Sequence, residues 1–350
     1  MTPVSTFEYQ SKLWKLKRPL KTAHGEIAKR SSVMLRVSEP GRTDVVGLGE
    51  ASPLPGWSKE SYDEVLKQVS SLPEVLPRFS SDTPEALDAW LDKQGVTSTS
   101  LRFGLGAALI DLEAQLRGET WGGVLGQGTH SEISVALLCS DIETARAEYA
   151  TGVRTFKIKA GMDLGLETDL LKALTSLGED IRIRIDVNEG WKLEEALHAW
   201  DSWRFAWPWI DFVEEPLQPD SKSGLEVLAQ AGVPLAFDES VRNREDLDAL
   251  IRRGLSGVIV LKPSLIGTPN EVLSLIKVAT ASDLKVMVSN LIETSITRLY
   301  CAYLASFISP SLAAGLGTGG LFQEDCGALP LEPGAVIRLP NFRTSQECVR

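Results

Sequence analysis

Residues that build thiolate or imidazole sites are scarce in this sequence. Four cysteines and three histidines are spread over 350 residues, and no two cysteines form a CxxC pair. This spacing excludes a zinc–thiolate site and a disulfide framework. We therefore expect any proton transfer to depend on Lys, Asp or Glu side chains. His24, in the segment KTAHGE, is expected to be a solvated loop residue outside the catalytic set.

Long apolar runs and an excess of positive charge are also lacking. No stretch approaches the ~18 uncharged apolar residues of a membrane-spanning helix, and the N-terminal segment MTPVSTFEYQSKLWKLKRPL has no apolar signal-peptide core. The net charge of −11 gives the chain no general attraction for nucleic acids or anionic lipids. We expect a cytoplasmic protein with a small-molecule partner and neither a nucleic-acid nor a membrane partner; the sequence leaves the oligomeric state open.

Three parts of the chain differ in pattern. Residues 1–99 contain short β-like runs, the turn SPLPGW and helical stretches at 61–71 and 83–93, the second expected to be N-capped by Asp82 or Thr83. This order predicts an α+β capping domain. Residues 100–318 repeat a strand–helix pattern, introduced by an amphipathic helix over 101–118. Residues 319–350 are turn-rich and are expected to return to the capping domain.

Eight short apolar runs follow one another from Ile133 onward, each before a helix-like stretch. The intervals between them suit a strand, a helix and two loops, which together form a βα unit. Eight units predict an α/β fold of the (β/α)8 or TIM-barrel type, because an open doubly wound sheet would need a glycine-rich nucleotide turn. The runs are ISVALLC, RTFKIKAG, IRIRIDVN, WIDFVEEP, VPLAFDES, SGVIVLKP, LKVMVSN and SLAAGLGT.

Side chains alternate between the two faces of a strand, so residues two apart point the same way. The outer face of a barrel strand packs under helices and must be apolar, which directs the polar set of each run into the barrel. The same alternation places Glu215 outward or at the rim. The inward set comprises Lys157 and Lys159; Arg182, Arg184, Asp186 and Asn188; Glu214; Asp238; and Lys262.

Three carboxylates, on Asp186, Glu214 and Asp238, thus converge with lysines on the C-terminal mouth of the barrel. Facing carboxylates repel unless a cation lies between them, and hard oxygen ligands suit Mg²⁺ or Mn²⁺ better than zinc. The alternative is a structural network in which Lys159 and Lys262 neutralise the acids. We favour the metal, because all the charges lie at strand ends. Such an ion stabilises an enediolate while a nearby lysine removes the α-proton.

The order KxK, DxN, EEP, DES and KP resembles the enolase superfamily, in the lysine–lysine branch that includes muconate-lactonizing enzymes. Within this branch the chain is most similar to the o-succinylbenzoate synthase family of menaquinone biosynthesis. The resemblance covers nearly the whole chain and implies a lyase with a modified TIM barrel. It rests on seven segments in the same order, namely GEASPLPGWSKESYDE, RFGLGAALIDLEA, FKIKAG, RIDVNEGW, FVEEPL, FDES and LKPSLIGT.

The resemblance also implies roles for individual residues. Asp186, Glu214 and Asp238 would bind Mg²⁺, with Mn²⁺ as a possible substitute. Lys159 would be the general base of a syn dehydration that forms 2-succinylbenzoate, and Lys262 would stabilise the enediolate from the opposite face. A supporting role near the metal falls to Asn188 and Glu215. Substrate contacts are assigned to Lys157, Arg184, Ser289, Asn290 and Gly317, and walls of the pocket to the cap-loop residues Pro55, Gly56 and Trp57.

Two segments depart from the family pattern. The seventh run continues as VSNLIETS where the family is often serine-rich, and the eighth, AGLGTGG, lacks the acidic residue often found there. Both would touch the succinyl group of a dicarboxylate substrate. N-acylamino acid racemisation, dipeptide epimerisation and cycloisomerisation would use the same metal and lysines, so they remain alternatives to dehydration. A non-catalytic barrel is disfavoured, because all five polar strand-end positions are in phase.

Overall fold

The computed structural model describes residues 3–22, 25–326 and 329–340. Strands and helices segregate in the N-terminal part, as the sequence predicts. An antiparallel sheet in the order β3-β2-β1-β4 carries two helices. The elements of this N-terminal part are β1 (Pro3–Thr22), β2 (Gly25–Glu39), β3 (Arg42–Ala51), α1 (Tyr62–Ser70), β4 (Val75–Pro77) and α2 (Glu85–Lys93).

Local sequence signals predict the start of α1 correctly but not the capping of α2. Ser61 caps α1 and forms a capping box with Glu64, as its sequence favours. The prediction that Asp82 or Thr83 caps the second helix is wrong: α2 begins after Pro84, and no side chain caps it. Proline fixes the backbone angle that a first helical turn needs, so this start requires no side-chain cap.

Parallel strands and helices alternate through the middle of the chain and confirm the barrel class. Seven strands form one parallel sheet in the order β12-β11-β10-β9-β8-β7-β6. They are β6 (Leu137–Leu138), β7 (Thr155–Lys159), β8 (Arg182–Asp186), β9 (Ile210–Glu214), β10 (Leu235–Phe237), β11 (Val258–Leu261) and β12 (Lys285–Val288). The helices are α3 (Thr99–Arg117), α4 (Trp121–Leu125), α5 (Ile142–Ala150), α6 (Leu164–Thr175), α7 (Leu193–Ser202), α8 (Leu225–Gln230), α9 (Arg244–Arg252), α10 (Pro269–Ala281) and α11 (Ser295–Ser306).

The eighth predicted strand closes the barrel through two residues only. Ala314 bridges to Val135 and Gly315 bridges to Ser289, both in parallel fashion. Ala314 donates to the carbonyl of Ser134 at 2.7 Å, and Gly315 donates to that of Val288 at 2.9 Å. The segment therefore joins the first and last strands of the sheet without forming a full strand of its own.

Two apolar layers follow the expected alternation along the strands. Phe212, Ala236, Val258, Val260 and Met287 form a separate small cluster, and the residues that alternate with them belong to the large core. This small cluster fills the barrel interior below the mouth. The inward positions at the C-terminal ends of the same strands are therefore the polar ones, as the sequence predicts.

Helix α3 lies between the capping sheet and the barrel. It was expected to be amphipathic, yet every residue from Ser100 to Ala114 is buried. Strand β3 packs against it at very short range, since a Cβ on Gly49 would lie 2.1 Å from the carbonyl oxygen of Gly104. Glycine at both positions permits this approach, and the second side of the helix is covered by the barrel.

The C-terminal segment contacts both parts of the molecule. Strand β13 (Val336–Arg338) pairs with β5 (Glu132–Ser134), just before the barrel begins. Phe322 bridges to Leu16 of β1, and the amide of Lys17 donates to Leu321. Residues 321–323 thus lie along the capping sheet. None of the helices in the described ranges is long and apolar enough to cross a membrane.

Candidate active site

Five neighbouring strands place ionisable side chains at one edge of the barrel. Lys159, Asp186 and Glu214 are the last residues of β7, β8 and β9, while Asp238 and Lys262 directly follow β10 and β11. The register pairs Lys159 with Asp186 and Asp186 with Glu214. Since parallel strands end at the same edge, the five form a row of three carboxylates with an ammonium group at each end.

The lysines contact the carboxylates directly. The Nζ of Lys159 lies 2.6 Å from Oδ2 of Asp186 and also donates to Asn188. Lys262 donates to Oδ2 of Asp238 at the other end of the row. Exposure differs between the two, because the Lys159 side chain is 52% exposed and that of Lys262 only 12%. Lys159 is accordingly the more accessible amine of the pair.

Lys157 lies between two carboxylates of the row. Its Nζ is 2.7 Å from Asp186 and 2.8 Å from Glu214. The assignment of Lys157 to substrate binding is therefore not supported by its contacts. Its position two residues before Lys159 puts it one layer deeper on the same face, within reach of the acids on the adjacent strands.

Neighbouring charges set the pKa values of these acids. Burial alone raises the pKa of Asp186, but the ammonium groups of Lys157 and Lys159 outweigh it and hold that pKa well below its usual range. Burial and the charge of Asp186 raise the pKa of Glu214 to about 6. Positive charge therefore compensates the carboxylate of Asp186 more fully than that of Glu214.

A divalent cation would supply further positive charge at Glu214. Oε1 of Glu214 is buried without a hydrogen-bond partner in the described part of the chain, which leaves one hard oxygen free at the centre of the row. Within the same residues, no three His, Cys, Asp or Glu side chains converge closely enough to hold an ion as they stand. The Lys157 ammonium occupies the space between two of the acids. Oxygen donors from adjacent strands nevertheless fit the requirements of Mg²⁺.

The cap loop reaches the row of charges through Trp57. The indole ring of Trp57 lies over the Nζ of Lys262, 4.4 Å from ring centroid to nitrogen, which is a cation–π contact. Pro55 and Gly56 are exposed, and Gly56 has a φ of +83°, a conformation that glycine adopts without strain. The capping domain therefore contributes a side chain at one end of the row. His24 lies outside the described residues.

A second layer of polar residues supports the strand ends. Glu215 is buried and accepts hydrogen bonds from the amides of Asp238 at 2.9 Å and Ser240 at 3.1 Å. Lys222 lies 3.1 Å from Glu215 and 2.7 Å from Glu189, and so ties together the loops after β8 and β9. Glu215 also has a φ of +42°, which turns its side chain away from the direction of Glu214.

Sequence reasoning missed Lys222, Glu189 and Glu239. Glu239 accepts from Asn188 at 3.3 Å, and burial together with the charge of Asp238 raises its pKa to about 8. The motif DES contains two adjacent acids, and this was the available signal for Glu239. Strand alternation excluded it from the inward set, but alternation no longer applies once the strand ends at Phe237.

Arg184 lies deeper in the barrel than the sequence predicts. It points away from the mouth and donates to Asp211 at 3.3 Å and to the carbonyl of Ala313 at 2.6 Å. Its guanidinium also lies over the ring of Phe212. These contacts hold Arg184 inside the barrel, and its role toward a substrate stays a prediction. Residues two apart share a face but differ in depth, and this side chain extends toward the first residues of β9.

The last two barrel segments meet at Ser289, Asn290 and Gly317. Ser289 donates to the carbonyl of Gly315 at 3.0 Å, and the Asn290 amide oxygen accepts from Thr318 at 3.0 Å. A Cβ on Gly317 would lie 2.6 Å from the carbonyl oxygen of Ala136. The contacts of these residues connect the closing segment to its neighbours, and their role toward a substrate stays a prediction.

Comparison with known proteins adds evidence at the level of sequence. Residues 141–326 match the family described as enolase C-terminal domain-like. The o-succinylbenzoate synthase of Thermosynechococcus vestitus is 31% identical over 312 residues, which cover 86% of this chain and 89% of that protein. The enzyme of the same name from Haemophilus influenzae is 29% identical, with 85% of this chain and 84% of that protein covered.

Solved structures share the fold at lower identity. The L-Ala-D/L-Glu epimerase from Bacillus subtilis, in a substrate-liganded complex, has a TM-score of 0.85 at 23% identity, covering 97% of both chains. A dipeptide epimerase from Enterococcus faecalis, complexed with Mg and a dipeptide, has a TM-score of 0.85 at 21% identity, covering 97% of this chain and 98% of that one. Both support the architecture of a capped barrel.

Proposed function

Since this chain belongs to the enolase superfamily, we propose that it dehydrates 2-succinyl-6-hydroxy-2,4-cyclohexadiene-1-carboxylate to 2-succinylbenzoate, the o-succinylbenzoate synthase step of menaquinone biosynthesis. Relatives with that name are 27 to 31% identical and cover most of both chains. The observation that carries the proposal is the row of three carboxylates with Lys159 and Lys262 at its two ends. The substrate class is a small dicarboxylate.

Asp186, Glu214 and Asp238 are the proposed ligands of Mg²⁺, and the same oxygen donors suit Mn²⁺. Their support is the partnerless buried oxygen of Glu214 and the position of all three at adjacent strand ends. When bound, the ion supplies positive charge that offsets the negative charge on the substrate carboxylate as the α-proton leaves. The backbone N–H of Asn188 donates to Oδ1 of Asp186 at 3.1 Å and thereby orients that ligand.

Lys159 is the proposed general base. Its half-exposed amine at the end of β7 is accessible to a substrate in the mouth. In its neutral form it takes the α-proton, and the electron pair of the broken C–H bond moves onto the substrate carboxylate as an enediolate. That pair then forms the new ring double bond as the C–O bond breaks. The ammonium group then returns the proton to the departing hydroxyl, which leaves as water. One group on one face therefore completes a syn elimination with no other reactant.

Lys262 is proposed to act as a fixed positive charge. It is largely buried between the carboxylate of Asp238 and the ring of Trp57, and both contacts favour an ammonium group held in place. A preorganised charge beside a developing anion is typically worth on the order of 10²–10³ in rate. Lys262 contributes this charge from the end of the row opposite Lys159.

Racemisation of an N-acylamino acid, or epimerisation of a dipeptide, is the second candidate. The observation that favours it is again the pair of amines at opposite ends of the row, because these reactions need one acid–base group on each face. Dehydration needs only one. The two candidates therefore differ in whether Lys262 exchanges a proton with the substrate.

Incubation of the purified protein with the cyclohexadiene substrate and Mg²⁺ tests the proposal, with 2-succinylbenzoate measured by chromatography. We expect product from the wild type and none from Lys159→Ala. Lys262→Arg should retain more activity than Lys262→Ala, since it keeps a charge of different shape. N-succinyl amino acids in D₂O serve as the comparison. Rapid α-deuteration of both enantiomers without any dehydration would instead establish the racemase.

A further inference from the structure

The proposed substrate carries two carboxylates, and the row of charges accounts for only one of them. Lys157, Lys159 and Lys262 each form an ion pair with an acid of the row. Arg184, which was expected to bind the substrate, is paired with Asp211 inside the barrel. These pairs leave no free cation in the row for the second carboxylate.

Arg242 is a cation outside the row. It lies in the loop after β10, four residues beyond Asp238, and its side chain is half-buried. Its Nε is buried with no hydrogen-bond partner in the described residues. Asp246 accepts from the backbone amide of Arg242 at 2.9 Å and not from its side chain. A guanidinium with an unmet donor favours an anion.

Trp57 connects Arg242 to the row of charges. The Nη1 of Arg242 is 3.5 Å from the carbonyl oxygen of Trp57, which is a long contact for a hydrogen bond. The indole ring of the same residue lies over Lys262. Trp57 packs beside a small apolar cluster of Leu54, Leu265 and Leu291. Trp57 thus contacts Lys262 through its ring and Arg242 through its carbonyl oxygen, and it packs against apolar side chains of the cap and the barrel.

We propose that Arg242 binds the second carboxylate of the substrate, at the end of the succinyl chain. This inference rests on the proposed function, because it requires a dicarboxylate whose first carboxylate lies at Asp186, Glu214 and Asp238. The methylene groups of the chain would lie along the apolar cluster, and the planar fork of Arg242 would take both carboxylate oxygens. Arg242 is therefore a substrate-binding residue that selects dicarboxylates over monocarboxylates.

Calorimetric binding of 2-succinylbenzoate and of its side-chain methyl ester, both with Mg²⁺, tests this role. Arg242→Gln should weaken binding of the diacid roughly 10- to 100-fold and leave binding of the ester nearly unchanged. Arg242→Lys should recover part of the loss. The matched control is Arg244→Gln. It removes the same charge from an exposed arginine that lies two residues further along the chain and pairs with Asp248.

Equal losses for both ligands, or no loss for either, would overturn the assignment of Arg242. Turnover by the wild type, measured in the same preparation, separates this failure from that of the proposed function. Wild-type dehydration without any diacid preference at Arg242 refutes the subsite alone. A diacid preference that depends on Arg242, in a protein that does not dehydrate the cyclohexadiene, supports the subsite and refutes the synthase.

Discussion

The carboxylates at the mouth of the barrel differ in the positive charges that lie beside them. Asp186 has two ammonium neighbours, whereas the Oε1 of Glu214 has no partner among the described residues. Strand alternation predicts from the sequence that these residues share a face. It does not predict how far along the barrel a long side chain reaches, and this is why Lys157 and Arg184 were assigned to the substrate. Both are two residues deeper than a strand-end position.

Magnesium should stabilise the folded protein, because an ion that binds only the native state adds free energy of unfolding. At 100 times its Kd the gain is about 2.7 kcal/mol. We expect Mg²⁺ to raise the midpoint of thermal unfolding of the wild type and EDTA to reverse the shift. In Asp186→Asn and Asp238→Asn the shift should largely disappear. Calorimetry at increasing Mg²⁺ concentration measures this effect.

Asp248→Asn is the control for the loss of one carboxylate, since Asp248 lies on α9 and pairs with Arg244. It should respond to Mg²⁺ as the wild type does. Equal shifts in all four proteins would exclude Asp186 and Asp238 as ligands.

Whole elements were predicted more accurately than their ends. Apolar runs located the seven parallel strands, and the αL conformation of Gly118 ends α3 where its sequence favours a C-cap. The amphipathic interpretation of α3 was wrong because its second face is covered by the barrel, and this contact is not encoded locally. The eighth run was predicted to be a strand but forms only the bridges of Ala314 and Gly315. Its pairing depends on both ends of the sheet.

Closure of the barrel by this short segment predicts a strict requirement at Gly317. A Cβ there would meet the backbone carbonyl of Ala136 at 2.6 Å, and a backbone atom cannot rotate away as a side chain can. Gly317→Ala should therefore lower the free energy of unfolding by about 1–3 kcal/mol, as overpacking typically does. Urea denaturation followed by circular dichroism measures the change.

Gly128→Ala provides the comparison, because a Cβ at Gly128 would have no atom within 4 Å. Its stability should equal that of the wild type within about 0.5 kcal/mol. A Gly317→Ala variant as stable as Gly128→Ala would show that the closing segment can shift to make room.

At the scale of the whole molecule, buried polar groups join the cap to the barrel. Arg30 of β2 donates to the carbonyl of Ile292 at 2.7 Å, and Glu50 of β3 accepts from the hydroxyls of Thr294 at 2.6 Å and Thr297 at 2.9 Å. Partners more than 240 residues apart cannot be recognised as a pair from one sequence. This holds even for Glu50 and Thr294, which lie in the segments GEAS and LIETS. The position of the cap on the barrel therefore depends on contacts that sequence patterns do not reveal.

Glu293, beside this interface, should make stability depend on pH. Its carboxyl group is buried, accepts from Leu291 at 2.9 Å and has its pKa raised to about 7, chiefly by burial. The unfolded chain releases this proton near pH 4.5, so between these values the native state binds more protons. The contribution of Glu293 to the free energy of unfolding is consequently greatest below pH 4.5 and is lost as the pH rises through 7.

Glu293→Gln, which cannot ionise, should flatten the dependence of stability on pH, and the variant should gain stability relative to the wild type from pH 5 to pH 8. Urea denaturation of both proteins at pH 5, 6, 7 and 8 measures the difference, and parallel curves would show that Glu293 does not titrate in this range.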